Sequence, residues 1–139
     1  MKGDNIADRL LDLAVACLRM AAEIEGTAIG KHIARQVTRS STSGGANYEE
    51  ARSAESSADF VHKIGVAGKE VSETVYWLKV TSRAAIATTL DLTRWIDEGE
   101  QLVRILGASA RTARNKGVAV VSRDLRASLS NRQQGTGDR

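Results

Sequence analysis

No proline occurs anywhere in this chain of 139 residues. Proline is the residue that most often interrupts a helix, because it lacks a backbone N–H and clashes with the preceding turn. Alternating runs of Val, Ile and Thr between turn dipeptides, which would predict strands, are absent from the sequence. Residues 34–80 are compatible with helix throughout. We therefore predict an all-α protein.

The length fits one domain with its own hydrophobic core. The longest apolar run is far shorter than the roughly 18 residues needed to span a bilayer. The N-terminus carries acids early and lacks the apolar stretch of a signal peptide. The single Cys17 lies within an apolar helical stripe, where we expect a buried, inert thiol. These features predict a cytoplasmic protein with no membrane partner.

Four amphipathic helices are predicted. The first starts behind Asp4 or Asn5, which are good N-caps, and closes at residues 25–27. Its apolar residues alternate in spacings of four and three, as in near-antiparallel bundle packing. They are Ile6, Leu10, Leu13, Cys17, Met20 and Ile24.

The second helix is predicted from Ala28 to the region of Ser56 and Ser57. Its inner face consists mainly of small residues, so a neighbouring helix can approach closely. Gly44 and Gly45 together cost about 2 kcal/mol of helix propensity relative to alanine. We expect a continuous but bent helix. The inner face comprises Ile33, Val37, Ser40, Gly44, Asn47, Ala51, Ala54 and Ala58.

The third helix is predicted from Ser57 to Arg83, followed by a connector. The fourth is expected to begin near Ile96 or Asp97, and beyond Gly117 the sequence fits either helix or strand. Residues 130–139 are polar and predict a disordered basic tail. Residues 1–129 therefore form an up-down four-helix bundle in this interpretation. The inner faces comprise Phe60, Ile64, Ala67, Val71, Thr74 and Leu78, then Leu102, Leu106, Ser109, Ala110 and Ala113.

Three segments carry a resemblance to a known family. They are RQVTRSSTSGGANYEEA (35–51), SADFVHKIGVAGKEVSETVYWL (57–78) and the weaker EGEQLVRIL (98–106). The chain resembles the four-helix-bundle proteins found in intervening sequences of bacterial ribosomal RNA genes. That resemblance implies a ring-like homo-oligomer, a pentamer in characterised members. A related branch comprises accessory proteins of diversity-generating retroelements, which implies a reverse transcriptase as a further partner.

Six polar residues fall at the motif positions of this family. One interpretation makes them a carboxylate site, with Glu50, Glu70 and Glu73 as the acids of an enzyme. The favoured interpretation makes them a structural polar network that fixes helix register or subunit contacts. The set is Arg39, Asn47, Glu50, Lys69, Glu70 and Glu73.

Catalytic and metal sites have little support in the sequence. No phosphate-binding, nucleophile-elbow or zinc-protease motif is present. Asp59 and His62 have the spacing of a di-iron ligand pair, but such sites need a second pair and two further glutamates. We expect no enzyme, no metal and no cofactor. Tyr76, Trp77 and Trp95 could stack on bases, but the favoured role is to anchor a core or an interface.

Charge is distributed unevenly. Residues 101–139 carry a net charge of +6, whereas residues 1–100 carry −3. The spacing predicts that bases of the fourth helix project away from its apolar face and continue into the tail. Clustered basic side chains favour polyanions. On a nucleic acid they would contact the phosphates rather than the nucleobases. The predicted nucleic-acid-binding residues are Arg104, Arg111, Arg114, Lys116, Arg123 and Arg126.

The leading hypothesis is a non-enzymatic homo-oligomer that binds RNA or DNA electrostatically, with a role as accessory factor to a reverse transcriptase. The alternative is a structural or protein-interaction module whose charge serves solubility only. Salt-sensitive binding of nucleic acid would distinguish the two hypotheses.

Overall fold

The computed structural model describes residues 3–134, and four helices occupy most of that range. They are α1 (Asp4–Ile24), α2 (Ala28–Arg52), α3 (Ser57–Arg83) and α4 (Leu92–Gln134). The short connections between them make consecutive helices run in opposite directions. The prediction of an all-α, up-down four-helix bundle is therefore confirmed.

Each helix turns its predicted apolar face into the core. Most of the residues expected there are buried, and Ile6, Asn47, Ala54, Phe60, Ser109 and Ala113 are partly buried. Ala58, which was predicted on the inner face of α2, is instead exposed in the first turn of α3. The buried set comprises Leu10, Leu13, Cys17, Met20 and Ile24 from α1, Ile33, Val37, Ser40, Gly44 and Ala51 from α2, Ile64, Ala67, Val71, Thr74 and Leu78 from α3, and Leu102, Leu106 and Ala110 from α4.

The small inner face of α2 serves a close approach to α3 within the same chain. A Cβ atom at Gly44 would lie 2.9 Å from Cγ2 of Val71. Helix α2 is continuous through Gly44 and Gly45, as predicted, whereas its bend stays a prediction. Two adjacent glycines lower the helix propensity of α2, and the close packing against α3 occurs at the same place in the helix.

Three helix boundaries differ from the sequence-based expectation. The N-cap of α1 is Gly3, with no side-chain cap hydrogen bond, rather than Asp4 or Asn5. Helix α2 ends at Arg52, earlier than predicted, and Ser56 instead caps α3 by accepting a 3.0 Å hydrogen bond from the backbone N of Asp59. Helix α4 begins at Leu92 rather than near Ile96. The carboxylate of Asp91 accepts a 3.1 Å hydrogen bond from the backbone N of Arg94 and so satisfies a donor in the first turn.

Helix α4 is much longer than its neighbours. It continues as helix from Gly117 to Gln134, so the first five residues of the predicted disordered tail (130–134) are helical, and residues 135–139 lie outside the described range. At 1.5 Å per residue α4 is about 65 Å long and α3 about 40 Å. We call residues 123–134 the α4 extension, and its residues 123–132 are all exposed.

Helix α1 has one open side. It packs along α2 but meets α4 far less extensively, mainly where the guanidinium of Arg9 donates to both carboxylate oxygens of Glu98. Among residues 3–134, no helix has the length and apolar character required to cross a membrane.

Candidate nucleic-acid interface

The outer surface of α4 carries exposed arginines. Arg104 and Arg111 are separated by seven residues, or about two helical turns, so they project from the same side. Arg126 is roughly 40° further around the helix axis than Arg104, and Arg123 roughly 60° beyond that. All four side chains are exposed. We call Arg104, Arg111, Arg123 and Arg126 the outer arginines.

Arg114 and Lys116 are exposed like the outer arginines, and both also line a groove between α3 and α4. Three residues turn a helix by about 300°, so Arg114 is rotated from Arg111 towards α3. His62 and Lys69 of α3 line the same groove.

The six predicted nucleic-acid-binding residues differ from many other bases in their ion pairing. Within residues 3–134, no ion pair involves any of the six. Arg9, Arg39, Arg52, Lys63 and Lys79, by contrast, each contact a carboxylate at 4.0 Å or less. Ion pairs within residues 3–134 therefore do not neutralise these six charges, which favours an external anion.

The predicted polar network forms only in part. Arg39 of α2 donates to Glu70 of α3 over 3.1 Å and to Glu73, which also accepts a 3.3 Å hydrogen bond from Nε1 of Trp77. The neighbouring guanidinium lowers the pKa of Glu73. The Arg39 side chain is 50% exposed, so this cluster ties α2 to α3 at the surface rather than in the core.

The other three members of that set lie apart from this cluster. Glu50 pairs with Lys63 at 2.6 Å, and the amide of Asn47 donates to the Ser43 carbonyl over 2.9 Å within α2. Lys69 lines the groove instead. Glu50, Glu70 and Glu73 are not among the described residues that line that groove.

Sequence reasoning missed the polar contact that lies deepest in the bundle. Oγ1 of Thr74 donates to Oγ of Ser40 over 2.9 Å, and both residues are fully buried. Ser40 and Thr74 had been placed on the facing stripes of α2 and α3. Two hydroxyl residues on facing inner stripes were the signal that could have identified the pair.

Two of the three aromatic residues, Trp77 and Trp95, and the cysteine have the structural roles that were predicted for them. Trp77 and Trp95 pack against the core, and His32 meets Trp77 edge-on at 5.6 Å between ring centroids. Tyr76 is exposed. Cys17 is buried, as predicted, and burial raises the pKa of its thiol to about 12. Across residues 3–134, no cluster of three or more His, Cys, Asp or Glu has the arrangement of a metal site.

Comparison with known proteins identifies relatives for the bundle. The sequence pattern of the 23S rRNA-intervening sequence protein family matches residues 5–108. A crystal structure from Bacteroides thetaiotaomicron, described as a protein of unknown function from the S23 ribosomal protein family, is 30% identical with a TM-score of 0.71. That match covers 80% of this chain and 99% of the other. No curated protein matches the chain.

Five of the six predicted nucleic-acid-binding residues follow residue 108 and so lie beyond the family match. The bundle itself accounts for the match, which spans well over half of the sequence and agrees with a solved structure in fold. The chain belongs to the 23S rRNA-intervening sequence protein family.

Proposed function

We propose that this protein is a non-enzymatic, cytoplasmic homo-oligomer that binds RNA or DNA through the outer arginines of α4. The observation that carries the proposal is that these exposed guanidinium groups have no carboxylate partner among the described residues. A helix that projects from the bundle with charge on its outer side can lie along a phosphate backbone.

Charge asymmetry supports the same conclusion. The +6 of residues 101–139 contrasts with the −3 of the preceding residues, so the positive potential is concentrated at one end of the chain. Assembly of several copies would multiply the number of phosphate contacts. Because most of these contacts are to phosphates, we expect little sequence preference. In this proposal a reverse transcriptase is one enzyme whose nucleic-acid substrate the oligomer would hold.

The chemistry of the carboxylates supports a non-enzymatic role. A general acid at neutral pH needs a raised pKa, whereas Arg39 lowers the pKa of Glu73. Glu50 and Glu70 are likewise engaged with Lys63 and Arg39. The three glutamates thus act as ion-pair partners between α2 and α3.

A matched pair of variants tests the proposal. The first replaces Arg104, Arg111, Arg123 and Arg126 with Gln. The control replaces four exposed bases on other helices, Arg19, Lys31, Arg35 and Arg83, with Gln, so both proteins lose the same formal charge. Binding to labelled RNA and DNA is measured by fluorescence anisotropy at several salt concentrations.

We expect the outer-arginine variant to lose affinity strongly and its salt slope to fall by about 3, since each phosphate contact contributes roughly 0.7–0.9. The control should retain most of the affinity and the slope. Equal losses in both variants would mean that net charge, and not this surface, carries binding. Absence of binding by the unmodified protein would favour the alternative, a protein-interaction module whose charge serves solubility.

A further inference from the structure

The groove between α3 and α4 has an apolar floor and a basic border. Its volume is about 1030 Å³, and Val61, Val66, Val120 and Val121 lie among its lining residues. Val120 and Val121 are 54% and 67% exposed, so the described residues leave much of these large side chains uncovered. Two glycines, Gly65 and Gly117, also line the groove and leave room for an approaching helix.

The charged residues along this groove share one sign. Lys69 from α3 and Arg114 and Lys116 from α4 line it, together with His62. No acidic residue is among the described residues of the lining. The groove therefore suits an occupant that has an apolar ridge flanked by carboxylates.

Such a ridge exists on the outer side of α1. Leu11, Val15 and Leu18 are 60%, 38% and 41% exposed, and the spacing i, i+4, i+7 places them on one face. The exposed Ala22 continues this face by another turn. We call Leu11, Val15 and Leu18 the α1 ridge. Three large apolar residues in one exposed row are unusual for a helix that faces only water.

Carboxylates accompany the α1 ridge. Asp8 and Asp12 are exposed within about 100° of Leu11 around the helix axis, and Glu25 is exposed just beyond the end of α1. Arg19 lies on the same side, so acids outnumber bases there by three to one. The lengths also agree, since residues 8–22 of α1 and residues 57–69 of α3 span about 21 Å and 18 Å.

We propose that the α1 ridge of a second copy of this chain seats in the α3–α4 groove. This inference rests on the homo-oligomer of the proposed function and assigns its contact surface. It does not depend on nucleic-acid binding, because the outer arginines lie outside the groove lining. The two surfaces of the contact differ, so each copy offers a ridge to one neighbour and a groove to another. Such head-to-tail contacts close into a ring or continue as a filament.

The test uses full-length variants at exposed positions, where the fold should tolerate the change. A ridge variant carries Leu11→Gln and Leu18→Gln, and a groove variant carries Val120→Gln and Val121→Gln. The control carries Leu125→Gln and Leu129→Gln, which replace two exposed leucines of the α4 extension outside the groove lining. Molar mass is measured by light scattering after size exclusion, and circular dichroism verifies the helical content.

We expect the unmodified protein and the control to be oligomers, and the ridge and groove variants to be monomers with unchanged helicity. An equimolar mixture of the two monomers should form a dimer and nothing larger. The ridge variant keeps its groove and the groove variant keeps its ridge, so the mixture can form one contact per pair. A monomeric unmodified protein would overturn the homo-oligomer together with this inference. An oligomer whose mass neither variant changes, or monomers that fail to pair on mixing, would overturn the ridge-in-groove contact alone.

Discussion

Thr74 and Ser40 join α3 to α2 through a 2.9 Å hydrogen bond between fully buried hydroxyl groups. The Thr74 hydroxyl also lies 3.0 Å from the Glu70 carbonyl, whereas the other hydrogen bond of the Ser40 hydroxyl within residues 3–134 is a longer one, 3.4 Å to the Val37 carbonyl. Loss of the hydrogen bond between them would therefore leave the Ser40 hydroxyl less well satisfied than the Thr74 hydroxyl.

We expect Thr74→Val to lower the free energy of unfolding by about 1–2 kcal/mol, since it leaves Ser40 poorly satisfied in the core. Ser40→Ala should cost less, because Thr74 keeps the Glu70 carbonyl. The double variant should lose less than the sum of the two. Urea denaturation of all four proteins measures this coupling, and strictly additive losses would argue against the contact.

Neighbouring glycines of α2 should respond oppositely to alanine. At Gly44 the new Cβ would lie 2.9 Å from Cγ2 of Val71, but at Gly45 the nearest atom is Cβ of Leu10, at 3.7 Å. Gly45→Ala should stabilise the protein by up to about 1 kcal/mol through helix propensity. Gly44→Ala should instead have a free energy of unfolding about 1–3 kcal/mol lower than that of Gly45→Ala, because the new methyl group overpacks the contact between α2 and α3. The same stability for both variants would contradict the close α2–α3 approach.

The end of α3 offers a stabilising substitution. Ala85 has φ of 54°, and the backbone N–H groups of Ala85 and Ile86 donate to the carbonyls of Ser82 and Thr81. This is the hydrogen-bonding pattern of a Schellman motif, whose left-handed residue is usually glycine. We expect Ala85→Gly to raise the free energy of unfolding by about 1 kcal/mol. Thermal denaturation measures it, and a lower melting temperature would mean that this residue is not left-handed in solution.

The buried thiol of Cys17 should make stability depend on alkaline pH. Burial raises its pKa from 9.0 to about 12, so the folded state holds the proton over a range in which the unfolded state releases it. Its contribution is complete below pH 9 and declines as the pH rises towards 12. Cys17→Ala should weaken the fall in stability above pH 9, measured by urea denaturation at a series of pH values. Rapid reaction of native Cys17 with a thiol reagent would contradict the burial.

The predictable part of the fold is the part encoded by local periodicity. The spacing of Leu10, Leu13 and Cys17 identifies an inner face, because a helix repeats every 3.6 residues. The start of α4 was missed because Asp91 and Asp97 are both plausible caps, and only the packed chain selects between them. Residues 130–134 were predicted to be disordered because they are polar, but they are helical in the structure.

The candidate site was less predictable, because it depends on which distant residues meet. The sequence indicates only that Arg114 is at the surface. Arg114 and Lys69 line the same groove because α3 and α4 pack together. The pairing of Arg39 with Glu70 and Glu73 agreed with the expected network, but Glu50 forms its ion pair with Lys63. Ion-pair choice between helices depends on register, which composition does not specify.

The most direct measurement is the binding of the full-length protein to labelled RNA and DNA across a salt series. We predict binding at about 50 mM salt, with the logarithm of the association constant falling linearly against the logarithm of salt concentration, at a slope of about −3 or steeper for four phosphate contacts. Absence of binding at about 50 mM salt, or binding that salt leaves unchanged, would contradict this prediction.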